Sequence, residues 1–187
     1  ARELQRRHAE IEVLFVGSQR GMENTLVPAA GFKLITLELT ALPRKPSVEL
    51  LRASIKAARG VRSGVKIIKS FSPDLVVGTG GYVAGPVVLA AALMGYKTLI
   101  HEQNAFPSLT NRWLGRFVDR IAVSHKKAES HFPAHKVVVT GNPLRPDILV
   151  ANRPESRKRL GLTPDEKVVV AVGGSGGALR LNEVLCD

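Results

Sequence analysis

The sequence predicts an α/β fold, a parallel sheet covered by helices on both faces. Three observations lead there. Short apolar runs alternate with helix-length stretches along most of the chain, glycine-rich joints follow two of those runs, and no repeat or low-complexity tract interrupts the alternation. Strands joined through helices run parallel, and in such sheets the loops at the carboxyl ends of the strands carry the chemistry.

Taken in order, the strand-like runs are 11–16, 33–39, 75–77, 97–101, 120–124 and 136–140, and the helix-like stretches 22–30, 48–71, 86–94 and 109–118. A helix over Arg2–His8 leads into the first run, an arrangement that implies a strand and turn before residue 1. The stretch from Leu75 to Tyr96 carries no charge and has the length of a membrane span. Gly78, Gly80, Gly81, Gly85 and Pro86 punctuate it instead as strand, turn and helix. Asn142-Pro143-Leu144-Arg145-Pro146 breaks the pattern, so one domain is expected over 1–146 and the beginning of a second over 147–187. In that second part Lys167–Val172 reads as a buried strand and Ala178 as a helix start.

Composition narrows the class. At 187 residues, 44% hydrophobic and 23% charged, the chain is long and apolar enough to bury a core. Cys186 is the only cysteine, so no internal disulfide forms, which fits a reducing compartment. Residues 1–10 are mostly charged and polar and lack the apolar core of a secretory signal. The net charge of +11 calls for an anionic partner: nucleic acid, a phosphorylated metabolite or an acidic membrane surface. Aromatic residues make up only 5% of the chain and no nucleic-acid motif is present, so nucleic acid is not the expected partner.

Four constellations carry candidate chemistry. Gly78-Thr79-Gly80-Gly81-Tyr82-Val83-Ala84-Gly85-Pro86 joins a strand to a helix, where backbone N–H groups can cradle a phosphate or simply turn tightly. It is not a dinucleotide fingerprint, because the third glycine would fall at Val83. Gly173-Gly174-Ser175-Gly176-Gly177 has the same context and adds a hydroxyl, without the lysine of a Walker loop. His101-Glu102-Gln103-Asn104 ends an apolar strand with polar groups costly to bury unpaired, which reads as a site or as a capped loop. Basic residues line 48–71 (Arg52, Lys56, Arg59, Arg62, Lys66, Lys69) beside an apolar stripe, and Arg112, Arg116 and Arg120 recur every fourth residue around Trp113 and Phe117. These are either solvated helix faces or a contact for anionic lipid. Gly60 and Gly64 weaken the longer helix or admit a close neighbour. His125, His131 and His135 lack a ligating pattern, since Pro133 interrupts them, and no metal is expected.

Together with Leu109-Thr110-Asn111 and Gly141-Asn142-Pro143-Leu144-Arg145, these motifs, in this order and spacing, resemble the MurG family of bacterial glycosyltransferases over essentially the whole chain. The resemblance implies a GT-B architecture of two Rossmann-like domains facing a cleft. It implies inverting, metal-independent transfer of N-acetylglucosamine from UDP-N-acetylglucosamine to lipid I, an undecaprenyl-diphosphate-linked acceptor, to form lipid II in peptidoglycan synthesis. No cofactor is implied. By the same resemblance Asn104, Arg145 and Ser175 approach the donor, while Gly78, Gly80, Gly81, Tyr82 and Glu102 lie on the acceptor side. The family's Gly-Gly-Thr-Gly-Gly-His loop, whose histidine is the usual candidate for general base, would precede residue 1, so no catalytic residue is assigned within the chain. Gly176 stands where the family usually has glutamine, which puts one donor contact in question. The expected location is peripheral, on the cytoplasmic face of the bacterial cytoplasmic membrane, and the chain by itself is expected to be inactive. The competing readings are another GT-B enzyme with a lipid acceptor and, from the charge alone, a nucleic-acid-binding module.

Overall fold

A computed structural model describes residues 1–39, 48–171 and 178–186. The chain forms two compact units, Ala1–Asn142 and Pro143–Asp187. In the first, α1 (Arg2–Arg7), β1 (Leu14–Ser18), α2 (Glu23–Ala29), β2 (Lys33–Leu37), α3 (Val48–Phe71), β3 (Leu75–Gly78), α4 (Gly81–Leu93), β4 (Lys97–Glu102), α5 (Leu109–Leu114), β5 (Arg120–Val123) and β6 (Val137–Val139) follow in sequence. All strand pairs are parallel. β1 pairs with β2, and a second sheet has the order β3-β4-β5-β6. The predicted α/β class is therefore the observed one, with crossovers through α2, α4 and α5.

Helix α4 holds the unit together. Its Val83, Val87, Val88, Ala90 and Ala91 are buried, as expected of a helix that is apolar on every side. It packs against β1, β3, β4, α3 and α5. Under it, Val88, Ile100, Leu114, Val118, Ile121, Val123, Ala128 and Phe132 form the main core. β3 keeps one edge without a partner among the described residues, and its Leu75 and Val77 are about half exposed.

Glycines allow these layers to approach. A Cβ on Gly64 would lie 3.2 Å from both Ala90 Cβ and Val87 Cα, and one on Gly60 would lie 3.2 Å from Pro86 Cβ. Both glycines are buried on the α3 face that meets α4, while Arg59, Arg62, Lys66 and Lys69 remain exposed on the other side. Close approach is thus the role these glycines play. Gly78 does the same between sheet and helix, since its Cβ would come within 2.8 Å of Val88 Cγ2.

Several boundaries differ from the sequence reading. β1 begins at Leu14 rather than Ile11, because its register with β2 opens at Leu14↔Lys33. α4 begins at Gly81, so Pro86 lies inside it and forfeits only the hydrogen bond its missing N–H would have made to the Tyr82 carbonyl. α5 ends at Leu114, not Val118, and closes in a tightened turn in which Phe117 N–H reaches the Leu114 carbonyl. Gly115 fits there against Phe132, and Lys136 Nζ donates to the Arg116 carbonyl at 2.9 Å. Arg120 consequently starts β5 and does not continue a helical stripe with Arg112 and Arg116.

The second unit contains α6 (Pro146–Leu149), α7 (Arg153–Arg159) and α8 (Leu179–Cys186). The strand expected over 167–172 does not form across its described residues, and Val169 and Val170 are 88% and 73% exposed. Its continuous apolar run has no neighbouring strand to pair with among the described residues, and an unpaired strand leaves its backbone groups to water.

The glycine spacing between α3 and α4 gives a stability test. Gly64→Val should overpack the interface and lower stability by about 1–3 kcal/mol, read as a drop in thermal midpoint, whereas Lys66→Ala on the exposed face should change it by less than about 0.5 kcal/mol.

Candidate functional site

Because β3, β4, β5 and β6 are adjacent and parallel, their carboxyl ends bring four loops to one edge: Thr79–Gly81, Gln103–Asn104, Ser124–His125 and Thr140–Asn142. The polar density noted after β4 lies at the centre of this edge.

Glu102 organises it. The side chain is 1% exposed, yet its carboxylate accepts four hydrogen bonds. Oε1 takes the backbone N–H and the side-chain amide of Asn104, both at 2.9 Å. Oε2 takes Ser108 N–H at 3.1 Å and Asn111 Nδ2 at 2.9 Å. Burial opposes ionisation of this carboxyl, but the donors from Asn104, Asn111 and Ser108 outweigh it and hold it below its ordinary value. Ser108 in turn caps α5 by accepting from Asn111 N–H. The loop from Gln103 to Pro107 is therefore wrapped around one buried charge. Among the site residues expected from sequence, Glu102 is thus enclosed rather than open to a ligand. A direct contact with an acceptor would require breaking these bonds, and its geometry suits holding Asn104 in place.

Asn104 is exposed, with its amide nitrogen committed to Glu102 and its carbonyl oxygen unbonded among the described residues. Next to it, Gln103 Nε2 donates to the Thr79 carbonyl at 2.9 Å and lies 3.2 Å from His101 Nδ1. His101 is buried, and its Nε2 lies 3.2 Å from the Gly141 carbonyl and 3.3 Å from Ser124 Oγ. The Thr79 and Gly141 carbonyls can only accept, so the Gln103 amide nitrogen faces Thr79 and the imidazole proton sits on Nε2. Ser124 and the Thr79 carbonyl did not stand out in the sequence, and only the parallel register places Ser124 beside His101 and the Thr79 carbonyl beside Gln103.

The glycine turn between β3 and α4 has Gly80 at φ +96° and Gly81 at φ +80°, conformations that side-chain-bearing residues rarely adopt. Tyr82 follows, 63% exposed. Gly78 lies behind the turn, packed against Val88 as described, so of the three glycines it serves the core rather than the open face. Arg145 is exposed at the N-cap of α6 in the second unit. Ser175 and its glycine loop lie outside the described residues.

Two further carboxylates clamp the framework. Asp119 Oδ2 accepts from the hydroxyl and N–H of Thr98, both at 2.8 Å, and these bonds hold its pKa below the usual value. Glu23 folds back after β1 to accept from Ser18 N–H at 2.7 Å and Ser18 Oγ at 2.8 Å, with the same downward direction.

Beside the site, Leu109, Arg112, Trp113, Arg116, His131 and Phe132 are among the residues lining a groove of about 570 Å³. Trp113 and Phe117 pack with ring centroids 4.8 Å apart and are both nearly half exposed, while Phe106 and Leu109 are 78% and 71% exposed. Among the described residues, no helix is long and apolar enough to cross a membrane, and no three His, Cys, Asp or Glu side chains gather as a cation site.

A parallel sheet with helices around it, glycine turns and polar groups at its carboxyl edge defines a Rossmann-like domain of the GT-B glycosyltransferase kind. The chain belongs to glycosyltransferase family 28, whose N-terminal domain model matches residues 1–123. Within that family the resemblance to MurG is borne out by whole-chain similarity. A relative from Caldanaerobacter subterraneus is 46% identical over 188 residues, covering 100% of this chain and 52% of its own length. Another from Halalkalibacterium halodurans is 44% identical over 181 residues, covering 97% and 50%. Both bear the name UDP-N-acetylglucosamine--N-acetylmuramyl-(pentapeptide) pyrophosphoryl-undecaprenol N-acetylglucosamine transferase. The crystal structure of Acinetobacter baumannii MurG superposes with a TM-score of 0.64 at 33% identity, over 77% of this chain and 41% of that one. The chain spans about half the length of the curated relatives it matches.

Removing the central charge should be costly. Glu102→Gln places an amide N–H₂ against donors and should lower stability by about 2–4 kcal/mol in chemical denaturation. The linkage to pH has a defined sign. Glu102, Asp119 and Glu23 are all shifted downward on folding. They therefore stabilise the fold fully above the ordinary carboxylate range, about pH 4, and that contribution is lost as pH falls through the lowered values. Stability measured from neutral pH into acid should show this loss, and Glu102→Gln should make it shallower.

Proposed function

We propose that this chain is the acceptor-side part of an inverting, metal-independent transferase that moves N-acetylglucosamine from UDP-N-acetylglucosamine onto lipid I, forming lipid II. The observation that carries the reading is the glycine turn at Gly80–Gly81, in positive φ and tied through Gln103 to the strand end that also holds Glu102 and Asn104, within a chain 44–46% identical to transferases of that name. Two successive glycines expose backbone N–H groups at the start of α4, where the helix dipole favours a diphosphate. Tyr82 stands beside them in the open. Gly78 contributes by setting the distance between β3 and α4, and Glu102 by holding Asn104.

The chain from 143 onward is assigned as the beginning of the donor-binding domain, with Arg145 and Ser175 near the diphosphate of the UDP-sugar, and Asn104 is assigned as a donor contact as well. A guanidinium and a hydroxyl both supply donors to phosphate oxygens. No side chain of this chain is assigned the role of general base.

Attachment to the cytoplasmic face of the cytoplasmic membrane completes the reading. A polyprenyl-linked acceptor stays in the bilayer, and the exposed Phe106, Leu109, Trp113 and Phe117 beside Arg112 and Arg116 offer apolar contact and positive charge together. That combination gives reversible binding to anionic lipid.

Three measurements test these assignments. In the full-length protein, Gly80→Val or Gly81→Val should lower kcat/KM for lipid I by about tenfold or more, the scale of forcing a β-branched residue into positive φ, and leave UDP-sugar affinity nearly unchanged. A loss confined to UDP-sugar affinity would move the turn to the donor side. Trp113→Ala with Phe117→Ala should reduce sedimentation with phosphatidylglycerol vesicles at low salt, and unchanged sedimentation would remove the patch from the membrane contact. Residues 1–187 alone should give no turnover, and measurable transfer would show that a general base lies among them.

A further inference from the structure

The bonds around His101 reach further than the turn. They form a continuous path across the carboxyl edge of the sheet: from the Thr79 carbonyl to Gln103 Nε2 at 2.9 Å, on to His101 Nδ1 at 3.2 Å, and from His101 Nε2 to the Gly141 carbonyl at 3.2 Å. One end is the peptide immediately before Gly80 and Gly81. The other is the penultimate residue of the first unit, which ends at Asn142.

Chain geometry beyond Gly141 makes that end consequential. Gly141 has φ +71°, a conformation suited to glycine and here anchored by the imidazole. Asn142 precedes a proline and is confined to extended conformations, and Pro143 has its φ fixed by its ring. Both residues narrow the conformational range of the chain next to the anchored Gly141 peptide. At the other end the Gly80–Gly81 turn carries no side chain, and a Cβ on Gly81 would meet nothing within 4 Å, which leaves the turn room to respond to a ligand. The imidazole uses both nitrogens between the two: Nδ1 faces Gln103 Nε2, and Nε2 faces the Gly141 carbonyl, which also accepts from Thr140 Oγ1 at 3.1 Å.

We infer that His101 and Gln103 are positioning residues that couple occupancy of the glycine turn to the Thr140–Asn142 segment, so that the acceptor-side loop and this segment respond together. The inference rests on the assignment of the turn to an acceptor diphosphate. It adds that the turn communicates with the end of the first unit, and by which bonds. His101 and Gln103 touch neither substrate in this account. Their effect passes through Thr79 and Gly141.

Two experiments on the full-length protein test it, and they fail separately. The first needs no activity. Gln103→Met keeps the side-chain volume and removes both hydrogen bonds, and hydrogen exchange is then followed at 79–82 and at 140–142. Exchange should quicken by about fivefold or more in both segments, including 140–142, which Gln103 does not contact. His101→Phe should have the reciprocal effect on 79–82. Should His101→Phe fail to fold, Gln103→Met decides alone. Quickening confined to the segment each side chain touches would overturn the coupling. The second experiment adds lipid I to the unmodified protein and to Gln103→Met and follows exchange in the same two segments. Lipid I should slow exchange several-fold at 79–82 and at 140–142 in the unmodified protein, and in Gln103→Met the response at 140–142 should be lost while the thermal midpoint stays within about 2 °C. A response at 140–142 that survives in Gln103→Met, or is absent in the unmodified protein although 79–82 responds, would overturn the inference. Absence of any response at 79–82 would instead defeat the functional reading, and the first experiment would still decide whether the two segments are coupled.

Discussion

The site depends on one buried carboxylate. Glu102 ends the central strand with its charge out of water, which is unfavourable unless every lone pair finds a donor. It gathers those donors from the following loop and from the first turn of α5, and in doing so dictates where the loop runs and where the helix starts. Asn104, Ser108 and Asn111 are each held by it. The exposed carbonyl of Asn104 is therefore presented from a rigid base, although it belongs to a loop.

Around that centre the scaffold is set by the absence of side chains. Gly60 and Gly64 bring α3 onto α4, and Gly78 lets α4 lie on β3. Each is a position where a methyl group would meet carbon at about 3 Å, so the spacing of the layers follows from these residues and not from their larger neighbours. The spacing fixes the height of the α4 N-terminus above the sheet edge. It thereby places the Gly80–Gly81 turn within reach of Gln103.

Much of this was legible in the linear pattern. The alternation of strands and helices, the length of α3, and the clustering of polar residues after β4 all follow from hydrophobic periodicity, which is a local property. Where the reading erred, a non-local contact decided the outcome. Pro86 looked like a helix start, yet the helix begins five residues earlier, with Pro86 packed near Gly60. The apolar run 167–172 looked like a buried strand, and its described part has no strand partner among the described residues. Arg120 matched a helical period, but Gly115 had already turned the chain against Phe132.

The division between the two kinds of information is physical. Residue type and order determined the α/β class, the family, and the presence of acidic, amide and imidazole groups after one apolar strand, because burial preference and backbone freedom act residue by residue. Only the tertiary structure decided what those groups do. Glu102 proved to be an internal anchor with all its hydrogen bonds taken, and His101 a bridge to a carbonyl forty positions away. Such pairings depend on which strand ends the parallel register brings side by side, and no local pattern encodes that adjacency.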